Sequence, residues 1–251
     1  MSAEFDILLA EMQADFLDEL PERCGRIEQG VMALERQQPD AFNELYRQVH
    51  SLKGTGGMFG VPVITTICHQ FETFISEAHT RFNPQASSTS LAYVDLLRKT
   101  AQPAGRDTPG VAAIEQALDR LRASTLSGRA SVLLAEPSDS MRKLYREVFA
   151  GKSIHLVTVD KGLAALERML HESFDLLVAS RELPDINAIA VLAALRDSDG
   201  RNKDIPAILI SSNPAVVPKR LGVRAIVRRD PKLLPTLARH VGEALAQPRR
   251  T

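Results

Sequence analysis

The chain has 251 residues, enough for one large domain or two of ordinary size, and its 44% hydrophobic and 25% charged residues are those of a folded globular protein. No apolar run approaches the 18 or more residues of a membrane span, and the acidic start Met1-Ser2-Ala3-Glu4-Phe5-Asp6 is not a basic-then-apolar secretion signal. The two cysteines, Cys24 and Cys68, are too few for a disulfide scaffold and lack metal-ligand spacing, so a reducing cytoplasm is expected, with no metal or cofactor.

The first half carries a helical period almost throughout. Phe5, Leu8, Leu9, Met12 and Phe16 recur at spacings of three and four, which predicts one helix face. Pro21 sits where a second helix can begin, and Ile27, Val31 and Leu34 carry its stripe to about Arg36. A third helix is predicted after Pro39-Asp40, with Phe42, Leu45, Val49 and Leu52 facing inward. A fourth runs over about 61–79 through Ile64, Ile67, Phe71 and Ile75. Residues 83–88 read as a loop, 91–99 as a shorter helix, 102–109 as a loop and 110–123 as a last helix. The sum is an antiparallel bundle of four or more helices over 1–123.

The second half alternates short apolar strands with helices. Strands are predicted at 132–135, 154–159, 175–179, 207–210 and 224–227, and helices at 139–149, 162–172, 188–195 and 233–246. Continuous apolar strands of this kind imply a parallel sheet covered on both faces, so a flavodoxin-like α/β domain is expected over 130–247. Ser, Thr and Gly interrupt both patterns at 124–129, the expected linker. Residues 1–123 hold 11 Lys+Arg against 17 Asp+Glu, a net −6, and the remainder 20 against 14, a net +6. That asymmetry fits two domains that attract each other, and equally two differently charged solvated surfaces.

The chemistry gathers around His50. Helical spacing places Lys53 and Gly54 one turn further along the same face, where an ammonium can neutralise a phosphoryl group. Gly54, Gly56 and Gly57 each cost about 1 kcal/mol in a helix interior relative to Ala, so their concentration needs a reason. One is a smooth docking surface beside the imidazole; the other is close helix packing, with His50 an ordinary surface residue. His69 and Glu72 lie three apart on the next helix. If that helix is antiparallel, Glu72 can reach the His50 ring and fix its tautomer, leaving the second nitrogen nucleophilic.

The stretch Val49-His50-Ser51-Leu52-Lys53-Gly54-Thr55-Gly56-Gly57-Met58-Phe59-Gly60, with His69-Gln70-Phe71-Glu72 downstream, resembles histidine-containing phosphotransfer (HPt) domains, above all the phosphoacceptor domain of chemotaxis histidine kinases. The resemblance implies phosphorylation of His50 at Nε2, a Glu72–His50 hydrogen bond, and Lys53 and His69 at family positions. Residues 130–247 resemble response-regulator receivers that have lost their site. Glu136-Pro137 stands where two acidic residues are expected, Ser180 where the phosphoacceptor Asp is expected, Ser211 at the terminal hydroxyl of the fourth strand, and Arg229 at the Lys. An acyl phosphate needs a carboxylate nucleophile and oxygen-held Mg²⁺, so this half reads as a pseudo-receiver, with Asp139 or Asp185 taking over the chemistry as the lesser alternative.

Together these features predict a two-component phosphorelay protein that takes a phosphoryl group at His50 from a histidine kinase or phospho-receiver and passes it to a receiver Asp. The alternative is a binding module that controls a kinase or output enzyme through the pseudo-receiver. No nucleotide-binding loop is present, so autophosphorylation and enzyme activity are not expected. Lys219, Arg220, Arg224, Arg228, Arg229 and Lys232 form a basic edge suited to a protein partner or a homodimer through the pseudo-receiver; without interleaved aromatic residues or a recognition helix, nucleic acid is disfavoured and no membrane contact is expected. The Pro248-Arg249-Arg250-Thr251 tail reads as a natural end rather than the way into a larger effector.

Overall fold

The computed structural model describes residues 3–102, 105, 108–213 and 217–246, with side-chain exposure from residue 7. The Phe5 side chain, residues 103, 104, 106 and 107 of the expected loop and the tail 247–251 lie outside the described residues. The chain divides into two compact units, Met1–Thr125 and Leu126–Thr251.

Unit one is helical. Helix α1 spans Ala3–Glu35, α2 Ala41–Met58, α3 Pro62–Ala78, α4 Pro84–Ala101 and α5 Thr108–Thr125. Helix α1 packs against α2 and α4, α2 against α3 and α3 against α4, closing a bundle onto which α5 adds through α4 and α3. The helix break expected at Pro21 is absent, and Pro21 lies inside α1. An interior proline costs about 3 kcal/mol, but Leu17, Leu20, Cys24, Ile27 and Val31 form one unbroken buried stripe across it. Each such side chain contributes about 1.5–3 kcal/mol on burial, so the stripe outweighs the proline. The stripe does not stay buried at its start: Leu8, Leu9 and Met12, expected to face inward, are exposed.

The loop expected at 83–88 is also helix. Pro84 occupies the first turn of α4, and the Asn83 side chain accepts a hydrogen bond from the Ala86 N–H at 2.9 Å, so loop-like residues here form a helix start. At the α2–α3 contact Gly56 is buried, and a Cβ on it would lie 2.7 Å from Ile64 Cγ2. The docking role expected for Gly56 is therefore corrected: it permits close packing, while Gly54 and Gly57 are exposed. Gly56→Ala should destabilise the bundle by about 1–3 kcal/mol, the usual range for overpacking. Thermal unfolding would read this, with Gly54→Ala, whose Cβ meets nothing within 4 Å, as the neutral control.

Unit two holds five parallel strands, β1 (Ala130–Ala135), β2 (Ile154–Val159), β3 (Leu176–Ser180), β4 (Ala207–Ser211) and β5 (Val223–Arg228), in the order β2-β1-β3-β4-β5. Helices α6 (Asp139–Phe149) and α9 (Leu233–Ala246) pack on the Val132, Leu134, Val178 and Ile210 face, and α7 (Gly162–His171) and α8 (Ala188–Asp197) on the Leu133, Ala179 and Leu209 face. This is the flavodoxin-like order expected, whose strand ends bring loops from β1, β3, β4 and β5 together. Between β4 and β5 the described residues hold only a 3₁₀ turn, Lys219–Leu221, where parallel strands ordinarily cross over through a helix.

Candidate functional site

His50 lies on the solvent side of α2, its side chain 62% exposed, while Glu72 on α3 is buried with a side chain only 7% exposed. The two helices run antiparallel: Gly56 meets Ile64, Thr65 Oγ1 donates to the Lys53 carbonyl at 3.1 Å, and Glu72 falls opposite the next turn back. Glu72 Oε1 is 2.9 Å from His50 Nδ1, and Glu72 Oε2 accepts from Lys53 Nζ at 2.7 Å. A carboxylate acceptor at Nδ1 fits the tautomer with hydrogen there and the lone pair on Nε2.

Lys53, expected to face a phosphoryl group, is turned to Glu72 instead. Its ammonium is a charge partner for that buried carboxylate. His69 is buried on α3, three residues before Glu72 and so about 60° from it around the helix. Tyr46, one turn before His50, has its ring stacked at 6.1 Å from the imidazole with 14° between planes. Sequence reasoning passed over it, although an aromatic residue four positions before the histidine was the signal. The surface on the other side of His50 is open at Gly54 and Gly57.

Both cysteines lie in the bundle core. Burial pushes the Cys24 thiol up to about 11, and burial followed by the charge of Glu72 pushes Cys68 well above its ordinary value. Neither is a reactive thiolate at neutral pH.

In unit two the strand ends gather Glu136, Ser180, Ser211 and Arg229. Arg229 Nη2 donates to Glu136 Oε2 at 2.8 Å and to Ser180 Oγ at 2.6 Å, and Ser180 also donates to Glu136. The Ser138 N–H donates to the other Glu136 oxygen at 2.9 Å. Glu136 and Ser180 are fully buried. Ser211 Oγ donates to Glu182 Oε1 at 3.0 Å and accepts from the Asn213 N–H at 3.1 Å. Pro137 contributes its carbonyl, which accepts from Arg142 Nη1 at 2.9 Å. The buried Tyr145 hydroxyl lies near this cluster; burial raises it to about 12, with Arg229 lowering and Glu136 raising it in smaller measure.

This donor set does not fit a divalent cation. Its one carboxylate is engaged by a guanidinium, a hydroxyl and a backbone N–H, whereas Mg²⁺ requires several free oxygen ligands. Among the described residues no group of three His, Cys, Asp or Glu could hold a metal.

Asp139 and Asp185 are occupied elsewhere. Asp139 starts α6 and pairs with Lys143 at 2.8 Å. Asp185 accepts from the backbone N–H groups of Gly162 at 2.7 Å, Leu163 at 3.0 Å and Ile186 at 2.7 Å, capping α7. Burial pushes its carboxyl up, but those N–H groups together reverse this and hold it below its ordinary value. A depressed carboxyl contributes stability that is full above its unfolded value of about 3.9 and is lost as pH falls through the folded one. Asp185→Ala should therefore lower the melting temperature at pH 7, and the gap to wild type should close on acidification, as pH-dependent thermal unfolding would read.

Residues 11–124 match the Hpt domain family. Over 127 residues, 48% of the chain, identity to the chemotaxis protein CheA of Salmonella typhimurium is 25%, and the match spans 19% of that protein. The chemotaxis protein CheA of Rhizobium meliloti is 34% identical over 65 residues, 25% of this chain and 9% of that protein. The sensor histidine kinase CheAY of Helicobacter pylori is 27% identical over 127 residues, 47% of this chain and 16% of its own length. The chain thus spans less than a fifth of the curated relatives it matches.

Among solved structures, the receiver domain of the Francisella response regulator 1452 is 20% identical with a TM-score of 0.42, covering 47% of this chain and 98% of that one. The chemotaxis response regulator CheY4 of Vibrio cholerae is 19% identical with a TM-score of 0.43, covering 47% of this chain and 99% of that one. The fold of unit two rests on its own sheet order and helix placement. Residues 11–124 thus match the Hpt domain family, and in this chain they are joined to an α/β unit of flavodoxin-like sheet order.

Proposed function

We propose that His50 is the phosphoacceptor of a two-component phosphorelay. The observation that carries this reading is one carboxylate, Glu72, bridging the imidazole Nδ1 at 2.9 Å and the Lys53 ammonium at 2.7 Å while the ring stays exposed. Glu72 holds the Nδ1 hydrogen and orients the ring, Lys53 balances its charge, and Tyr46 flanks the face. The Nε2 lone pair attacks the phosphorus of a donor phosphohistidine or phosphoaspartate. The N–P bond forms as the donor's P–N or P–O bond breaks, and the donor leaves as imidazole or carboxylate. In the return step the Asp carboxylate of a receiver attacks phosphorus and the Nε2–P bond breaks.

A Hpt domain is a phosphotransfer module rather than a kinase domain, so the group comes from another protein. The open surface at Gly54 and Gly57 is the docking face. Unit two takes no phosphoryl group in this reading, since Ser180 is buried and bonded to Glu136 and Arg229; it serves protein–protein contact. No described helix is long and apolar enough to cross a membrane, which suits work beside cytoplasmic receivers and kinases.

The test is incubation with phosphorylated receivers or kinases carrying labelled phosphate. Label that is lost in acid and kept in base, as a phosphohistidine is, supports the reading. Label that survives acid, or no label from any donor, overturns it.

A further inference from the structure

Helix α1 is far longer than its neighbours. Its 33 residues span about 50 Å and the 18 of α2 about 27 Å. The bundle engages it from about Gln13, whose amide donates to the Gly60 carbonyl at 3.5 Å, and Phe16, whose ring lies 5.2 Å from that of Phe59. Before that point the stripe that is buried further along runs on without cover. Leu8 is 53% exposed, and Leu9 and Met12 are exposed with it. Contiguous apolar exposure of this kind marks an interaction surface. Its rim is acidic: Glu11 and Asp15 are exposed beside it, and residues 3–15 hold four Asp or Glu and no Lys or Arg.

Unit two carries a surface of the opposite kind. Strand β5 is an edge strand, and Ile226 pairs in register with Leu209. Residues side by side in a parallel pair share a face, so Ile226 lies on the α7/α8 side of the sheet. There Leu209 is fully buried, but Ile226 is exposed, and so are Arg224 and Arg228, two residues to either side on the same face. Lys219 and Arg220 of the preceding turn are exposed as well. A crossover helix between β4 and β5 ordinarily covers this position, and the described connection contains none. What would fit is a short amphipathic helix with an apolar stripe and an acidic rim.

We propose that the chain associates head to tail, the N-terminal overhang of α1 in one copy lying across the bare β5 face of unit two in a second copy. Leu8, Leu9 and Met12 cover Ile226, and the acidic rim meets Arg224, Arg228, Lys219 and Arg220. Two overhangs pairing with each other would instead bring like charges together, which charge complementarity disfavours. The inference is independent of phosphotransfer at His50.

The experiment is sedimentation analysis of the full chain over rising concentration, at low and high salt. One variant carries Leu8→Glu, Leu9→Glu and Met12→Glu, and the other Arg224→Glu and Arg228→Glu. All five side chains are exposed, so unchanged circular dichroism and melting are the expected controls. Wild type should self-associate, less so at high salt. Each variant alone should be monomeric, with its dissociation constant raised about a hundredfold or more. An equimolar mixture of the two should form a one-to-one dimer, because each partner retains one intact surface. A wild type that stays monomeric, association that survives the arginine substitutions, or a mixture that fails to pair overturns the proposal.

Discussion

His50→Gln should take no label from any donor that labels the wild type, and Glu72→Ala should still take it but about a hundredfold more slowly. The first result follows from chemistry, since glutamine offers no nucleophilic nitrogen lone pair at the exposed edge of α2. The second follows from position. Glu72 does not touch the transferred group; it holds Nδ1 at 2.9 Å, which fixes which nitrogen carries the hydrogen and where the lone pair points. Groups that manage a proton for a reacting atom contribute about 10²–10⁴ in rate, and an orienting carboxylate belongs at the low end. The readout that separates orientation from mere folding is the division between rate and endpoint. Glu72→Ala should reach the same final labelling as wild type, while a misfolded protein would plateau low. Glu72→Gln keeps an oxygen for Nδ1 but loses the charge that Lys53 balances, so its rate should fall between the two. Lys53→Ala should slow transfer less than Glu72→Ala, because Lys53 acts on the ring through the carboxylate. Equal labelling of His50→Gln and wild type would end the assignment.

The His50 site was legible because its parts are short-range. His50 and Lys53 lie one helical turn apart, and a tight turn between α2 and α3 makes antiparallel pairing the simplest geometry, which brings Glu72 back to the ring. Gly56 was misread because both of its roles, smooth surface and close packing, give the same sequence signal, and only the 2.7 Å approach of Ile64 distinguishes them. The exposed start of α1 was unreadable for a different reason. Periodicity records that Leu8, Leu9 and Met12 share a face with Phe16, yet it does not say where the neighbouring helices stop.

In unit two the strands, and a serine where a receiver's phosphoacceptor Asp is expected, could be read from residue types alone. The ion pair that fills the pocket could not, since Arg229 and Glu136 are 93 positions apart and meet only because β1 and β5 deliver their ends to the same edge of the sheet. That pair underlies the second large effect. Arg229→Ala should destabilise unit two by about 3–5 kcal/mol, the range for removing one partner of a buried ion pair, reduced somewhat because the Arg229 side chain is 26% exposed. What is lost is less the attraction than the compensation: Glu136 would be left fully buried with only Ser180 and the Ser138 N–H as donors. Removing the charge together with its partner should therefore cost much less. Glu136→Gln with Arg229→Met should recover most of the stability, because replacing both members of a buried pair with groups of similar volume is often near neutral. Chemical denaturation of wild type, Arg229→Ala and the double variant, followed by a probe in unit two, would measure it. If Arg229→Ala alone unfolds no more easily than the double variant, the pocket is not held by the ion pair.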